Sequence, residues 1–515
     1  MSTRSNSDPG RLDPSAGGRA WTWGVAPAYI GLFLGVSYLD PICRGALGVG
    51  GLAASVVGAA VAGVACYLLL YLPLASWGLR SRRTFDGLAA HTFGSAGGRW
   101  LPGLALGLAQ VGWIGLSVDY GVEATLRGLA ALGLVGAPTL RPWVVGGVVL
   151  RSPAWIATGA FWAIAAALIG HWLSRLIAAL MNIYPVFLAI ALGGLMVWAL
   201  PGLREFRPSG LDPWTGLAVA EPELTAALRV IQYALAFFGT AALAAADWGA
   251  ASRDGRDVRL GGLVGVGFAA FLIAAVGLIA VAGGVGRRPP SPAMERALDV
   301  QSALPQATAM RPYGSETVDR ARRDLVEARG EPYSLLFVLQ EGVGGRWGGV
   351  ALMLFGLGVM APAVYAPFAF GTRQHGLAPA VPRLAWSLLA AILALPLIAA
   401  GAASRAGPLV DVLGALTAPM AGALAADALR NRCRWPGVRR GTSVSGVFAW
   451  LSGAVVGLLP TLGPPLHLGA WSRLRLAALG AFAVGFAVNY ILTTLGLASR
   501  LDAPLPALTD PPIGR

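Results

Sequence analysis

Long apolar segments recur along nearly the whole chain, and they set the medium before they set the fold. Windows of about twenty apolar residues, the length that crosses a bilayer core, centre near Leu34, Ala62, Gly112, Ala163, Ala189, Phe238, Ala270, Leu357, Leu393, Ala418, Val455 and Val484. These give about twelve spans. Hydrocarbon offers the backbone no hydrogen-bond partner, so spans of this length must be helices. Only 12% of the residues are charged and 56% are hydrophobic, whereas charged residues reach about a quarter of a soluble domain. The reading is an all-α polytopic membrane protein embedded in the lipid bilayer.

Charge orients it. Every basic residue is Arg. With an inside amino terminus, Arg80, Arg82, Arg83 and Arg99 follow span two, Arg253, Arg256 and Arg259 follow span six, and Arg430, Arg432, Arg434, Arg439 and Arg440 follow span ten. The opposite loops are poorer, Arg44 and Arg405 standing nearly alone and Arg141 with Arg151 forming a milder exception. The positive-inside rule then places both termini in the cytoplasm of a multi-pass inner (plasma) membrane protein. The start, Met1 to Gly18, carries no signal-peptide pattern, so the first span is expected to stay.

The net charge of +14 is spread along the chain rather than gathered in a basic domain, which excludes a nucleic-acid partner. Cys43, Cys66 and Cys433 are scattered, and the four His lack ligand spacing, so neither disulfides nor a metal site nor a cofactor is implied. No nucleophile motif, phosphate loop or nucleotide signature is present, against an enzyme or an ATP-driven pump. Nothing in the sequence sets the oligomeric state.

Two spans are interrupted, the first at Ser37-Tyr38-Leu39-Asp40-Pro41 and the sixth at Gly239-Thr240, with Asp247 further on. A broken helix survives in a membrane only where it lines a protein cavity. Breaks five spans apart point to a transporter of two repeats that holds its substrate where they meet. Asp40 precedes Pro41 and could take up a proton, bind a cation or meet an amine; its alternatives are a cap or a pair with Arg44, four residues on. In span three, helical spacing puts Gln110, Trp113 and Ser117 on one stripe, an aromatic surface bracketed by hydrogen-bonding groups that suits a planar heterocycle. Asp119 and Glu123 lie four apart toward the far end of that span; Asp119 is a second ion-coupling candidate and Glu123 is expected to pair with Arg127. Asp247 and Asp427 are expected in ion pairs at the membrane edge.

The pattern resembles the nucleobase-cation-symport-1 family, the purine, cytosine and hydantoin permeases. The likeness rests on Arg83-Thr84-Phe85 through His91-Thr92-Phe93-Gly94-Ser95 to Gly112-Trp113-Ile114-Gly115, on Asp247-Trp248 with Arg253-Asp254 and Leu260-Gly261-Gly262, and on Ala418-Pro419-Met420-Ala421-Gly422 leading to Asp427 and Arg430. The resemblance implies a LeuT-like fold: a 5+5 inverted repeat with broken helices one and six, plus two extra helices. It also implies a planar base stacked between aromatics of spans three and six, here Trp113 and Phe238, with Gly239 beside it. Further contacts would come from Ser37 and Tyr38 of span one and from Tyr365 of span eight.

The chain departs from the family where residues 349–371 of span eight hold no Ser, Thr, Asn or Gln. The family draws sodium-binding hydroxyls from that span, so coupling to protons through Asp40 or Asp119 is the more economical expectation. The expected division is a tail over 1–20, a first repeat over 21–203, a second over 224–430 with a long external loop at 285–332, helices eleven and twelve over 441–498, and a tail over 499–515. That loop reads as a flexible connector, with a short surface helix at Val318 to Ala328 as the alternative. The expected function is secondary active import of a nucleobase-like small molecule by alternating access. An amino-acid permease of the same architecture and a non-transporting sensor or scaffold are the alternatives.

Overall fold

The computed structural model describes residues 18, 20–136, 143–145, 148–172, 174–210, 212, 219–287, 333–462 and 474–501. The two tails and most of the expected 285–332 loop, its possible helix included, lie outside the described residues. Among the described residues ten helical segments are long and apolar enough to cross a membrane. The shorter Arg383–Ala399, span nine, and the broken first segment bring the crossings to twelve.

Span one consists of Val25–Phe33 and Val36–Ile42, continued by a π-helical stretch, Cys43–Leu47. Its break lies at Leu34-Gly35, not at Ser37–Pro41: Gly35 is extended (ψ 139°), and the expected break residues are helical. Pro41 is tolerated for a local reason. It has no N–H to offer the Ser37 carbonyl, and the Tyr233 hydroxyl donates to that carbonyl instead at 2.5 Å. The chain then reverses at Gly51 (φ 79°), a left-handed conformation that suits Gly. Span two runs back through Gly48–Ala65, Cys66–Tyr71 and Leu72–Ser81.

Span six likewise holds its helix past the expected point. Pro222–Leu243 runs unbroken through Gly239-Thr240, and the interruption falls at Ala244 (ψ −11°), before Ala245–Ala251. Gly239 serves close packing, since a Cβ there would lie 2.9 Å from Thr417 Oγ1 of span ten.

The remaining crossings are Gly97–Ala131 (three), Pro153–Trp172 (four), Ser174–Ala199 (five), Gly255–Arg287 (seven), Gly345–Leu377 (eight), Ala403–Arg430 (ten), Val444–Leu462 (eleven) and Ala477–Thr494 (twelve). Their packing follows an exchange rule. Span two packs on span six as seven packs on one, and span three packs on nine as eight packs on four. Pairs two–seven, three–eight and four–nine map onto themselves. Adding or subtracting five spans thus reproduces the contact pattern of the first ten, which divide into a bundle of one, two, six and seven and a scaffold of three, four, eight and nine. Spans eleven and twelve pack on span ten.

Small residues set the distances between spans. Ala75 and Gly78 of span two face Ala246 and Gly249 of span six so closely that a Cβ on Gly78 would lie 2.1 Å from the Ala246 carbonyl oxygen, and one on Gly249 2.0 Å from that of Ala75. The first described residues lie on one side of the molecule with the loops after spans two, six and ten: the Trp21 N–H reaches Asp257, Arg82 donates to the Ala250 and Ser252 carbonyls, and Arg80 to that of Arg432. This side is called the near side below, and the opposite one the far side.

Candidate functional site

At mid-depth, Trp113 of span three meets span six. Its indole Nε1 donates to Thr240 Oγ1 at 3.2 Å, and its ring stands edge-on to Phe237, centroids 5.0 Å apart and planes at 87°. Phe237, not Phe238, is therefore the span-six partner of Trp113. Phe238 turns toward span one instead, stacking on Phe33 (5.7 Å) and meeting Tyr29 (5.3 Å). Helix geometry separates the two rings, because adjacent residues lie about 100° apart: both pack on Phe33, and Phe237 is the one turned toward Trp113.

Tyr38 joins this aromatic cluster, its ring 4.9 Å from Phe33 and 5.0 Å from Phe237, and its hydroxyl is spent on the Ala270 carbonyl at 3.0 Å. Ser37 is buried and contributes its carbonyl to Tyr233. Gln110, one turn nearer the near side than Trp113, is half-buried. Ser117, one turn the other way, is fully buried, and its hydroxyl has no partner among the described residues. An orphaned buried hydroxyl is costly unless something else satisfies it. Ser117 shares its stripe with Trp113, so the unmet group stands beside the aromatic surface.

One turn further, Tyr120 continues the stripe into a dense polar layer. Asp40 is fully buried there. Its Oδ1 accepts from Ser334 Oγ (2.8 Å) and the Leu335 N–H (2.7 Å); its Oδ2 accepts from the Tyr120 hydroxyl (3.0 Å) and pairs with Arg44 Nε (2.5 Å). Asp119 accepts from Trp155 Nε1 (2.6 Å) and the Ala403 N–H (2.8 Å), with Arg151 at 3.7 Å. Glu123 pairs with Arg127 (3.1 Å), as the sequence suggested, and also with Arg44 (3.5 Å) and Arg151 (3.9 Å). The Arg151 guanidinium lies on the Trp155 ring, 4.0 Å from its centroid. The layer belongs to the far side, and its Asp40, Arg44, Asp119, Tyr120 and Glu123 are at most 7% exposed.

The near side differs. Tyr365 is 46% exposed and Asp247 is exposed. Their electrostatic neighbours include one another and Arg373. Asp247 does not form the expected ion pair; it accepts the Phe85 N–H at 2.7 Å, capping the short helix Phe85–Thr92. Asp427 does pair, with Arg439 at 3.4 Å, and has His91 at 3.9 Å. Tyr365 stands apart from the Trp113 stripe in this arrangement. Among the described residues no group of three or more His, Cys, Asp or Glu is placed to hold a metal.

Solved structures match this architecture. Mhp1, a nucleobase-cation-symport-1 family transporter, in a closed conformation with bromovinylhydantoin bound, aligns with a TM-score of 0.55 at 14% identity, over 94% of this chain and 95% of that one. Its inward-facing conformation gives the same score and identity over 95% of each chain. The two proteins share one fold. The LeuT-like repeat read from the sequence therefore holds over nearly the whole chain. No protein-family model and no curated protein matches it.

The sequence singled out Trp113, Ser117, Asp40 and Asp119 as candidates; Phe237, Tyr233, Tyr120 and Trp155, which the structure sets beside candidate residues, it did not. Tyr120 was within reach, as the seventh residue after Trp113 on a 3.6-residue period. Trp155 and Tyr233 make their bonds 36 and 196 residues away in sequence, which no local pattern announces.

Proposed function

We propose that the protein is a secondary active transporter that imports a nucleobase-like planar heterocycle by alternating access, coupled to protons. The observation that carries this reading is the pairing of a mid-depth indole with an orphaned buried hydroxyl one turn away, where span three meets the interrupted span six. A flat ring would stack on Trp113 in place of the Phe237 edge, and its polar rim would satisfy Ser117, with Gln110 and Thr240 in reach of the other edge. Ser37, Tyr38, Phe238 and Gly239 hold the wall behind these residues, and Tyr365 lies on the near-side path. The fold shared with Mhp1, solved with bromovinylhydantoin bound, is consistent with this reading.

Proton rather than sodium coupling is favoured by residues 349–371 of span eight, which offer no Ser, Thr, Asn or Gln side chain. Asp40 and Asp119 are the candidate carriers. In the present arrangement both face donors on each oxygen, and the Leu335, Trp155 and Ala403 N–H groups can only donate. A proton on Asp119 would displace a donor, and one on Asp40 would turn the Tyr120 hydroxyl from donor to acceptor, so loading is assigned to a conformation in which the far side has opened. The arginine-rich near side is read as cytoplasmic. Uptake by proteoliposomes under an imposed pH gradient, with and without sodium, tests the coupling. Sodium-dependent, pH-indifferent uptake contradicts it, and competition by amino acids but not bases would favour an amino-acid permease.

A further inference from the structure

Among the described residues the far-side layer brings together six charges: Asp40, Asp119 and Glu123 against Arg44, Arg127 and Arg151. Their division between the two moving parts is more informative than their sum. Span one contributes Asp40 and Arg44, an i,i+4 pair at 2.5 Å that is neutral by itself. Span three and the start of span four contribute Asp119, Glu123, Arg127 and Arg151, which are also neutral together. Between the two parts run the Tyr120 hydroxyl to Asp40 (3.0 Å) and Arg44 to Glu123 (3.5 Å). The segment after residue 332 docks on the span-one part through Ser334 and Leu335, with Arg44 donating to Ser334 at 3.1 Å.

Parting a buried ion pair strands a charge on each side at a cost of several kcal/mol. Parting two groups that are each internally neutral strands none. Among the described residues of this layer, separation breaks the hydrogen bond of Tyr120 and the long Arg44–Glu123 contact, interactions small enough to form and break in each cycle.

We propose that Tyr120 and Glu123 are positioning residues that form the fixed half of a far-side latch, whose movable half is the neutral Asp40–Arg44 pair. Tyr120 lies seven residues from Trp113 on the same face of span three, so the latch is built on the same rigid helix as the substrate stripe. The inference rests on the alternating-access part of the proposed function but not on the substrate.

Cys43, buried between Asp40 and Arg44 in sequence, is a native reporter of the latch. The test is the rate of maleimide labelling at Cys43 in the full-length protein in detergent without substrate, read by peptide mass spectrometry. Tyr120→Phe and Glu123→Gln should each raise that rate about tenfold, the shift expected for loss of one hydrogen bond to a charged group. Ser117→Ala, which touches the stripe but not the latch, should leave the rate unchanged while altering substrate binding. An unchanged rate in either latch variant overturns the proposal. So does an equal rise in Ser117→Ala, which would indicate general loosening. Because no substrate is present, failure of the latch and failure of the heterocycle reading give different results.

Discussion

Replacing Asp40 by Asn isolates what its charge does for the fold. The carboxylate accepts from Ser334 and Leu335 on one oxygen and from Tyr120 on the other, which also pairs with Arg44. An amide keeps one acceptor. With its oxygen toward Leu335, the NH2 group faces Tyr120, which can turn to accept, and Arg44, which cannot. With the amide reversed, the NH2 group opposes the Leu335 N–H. Either way Arg44, 7% exposed, retains Glu123 at 3.5 Å. Removing one member of a buried pair costs about 3–5 kcal/mol. The surviving Glu123 contact puts the loss near the lower end, about 3 kcal/mol. Thermal unfolding in detergent of Asp40→Asn, Arg44→Gln and the double variant forms a cycle. The double variant should be more stable than the sum of the singles by about 2 kcal/mol, since neither charge is then stranded. Additive losses, or an Asp40→Asn protein that melts with the wild type, would refute the pairing.

Three further outcomes follow from the packing and the near-side loops. Burial holds the His91 imidazole below its ordinary value of 6.5, Asp427 opposing and Arg439 adding to the effect. The unfolded chain therefore binds a proton that the folded one resists, and the stability from this group, complete above that value, declines as pH falls through it. Melting temperature should drop between about pH 7 and 5, and less so in His91→Gln. Gly249→Val drives a side chain into the Ala75 carbonyl and should cost about 1–3 kcal/mol or more. Gly193→Val, where a Cβ meets nothing within 4 Å, should melt with the wild type.

The sequence was most legible where lipid imposed the rule. Span number and helical class follow from hydrocarbon's demand that every backbone group be satisfied internally, and the exchange-by-five packing agrees with the repeat that the two interruptions and the family resemblance implied. The positions of the breaks were less legible. Asp40-Pro41 looks like an interruption because a proline removes a donor, yet Tyr233, distant in sequence, supplies the freed carbonyl and the helix continues. Gly239 looks like a hinge but is a packing position against Thr417. At the site, the stripe from Trp113 to Ser117 was readable from period alone. Which of Phe237 and Phe238 meets it depended on the rotation of span six, which only packing decides. Asp40 left several roles open from sequence, and the structure places it with Arg44 while surrounding it with three further donors.

The central claim is that a flat heterocycle stacks on Trp113. Uptake of labelled cytosine, uracil, hypoxanthine, allantoin and hydantoin by proteoliposomes, comparing wild type with Trp113→Ala, tests it directly. The account predicts concentrative uptake of at least one of these by the wild type. It also predicts a loss of roughly tenfold or more in the variant, since stacking of an aromatic pair adds about 0.5–1.5 kcal/mol to the area lost. Uptake of the same compound at wild-type rate and affinity by Trp113→Ala would contradict it.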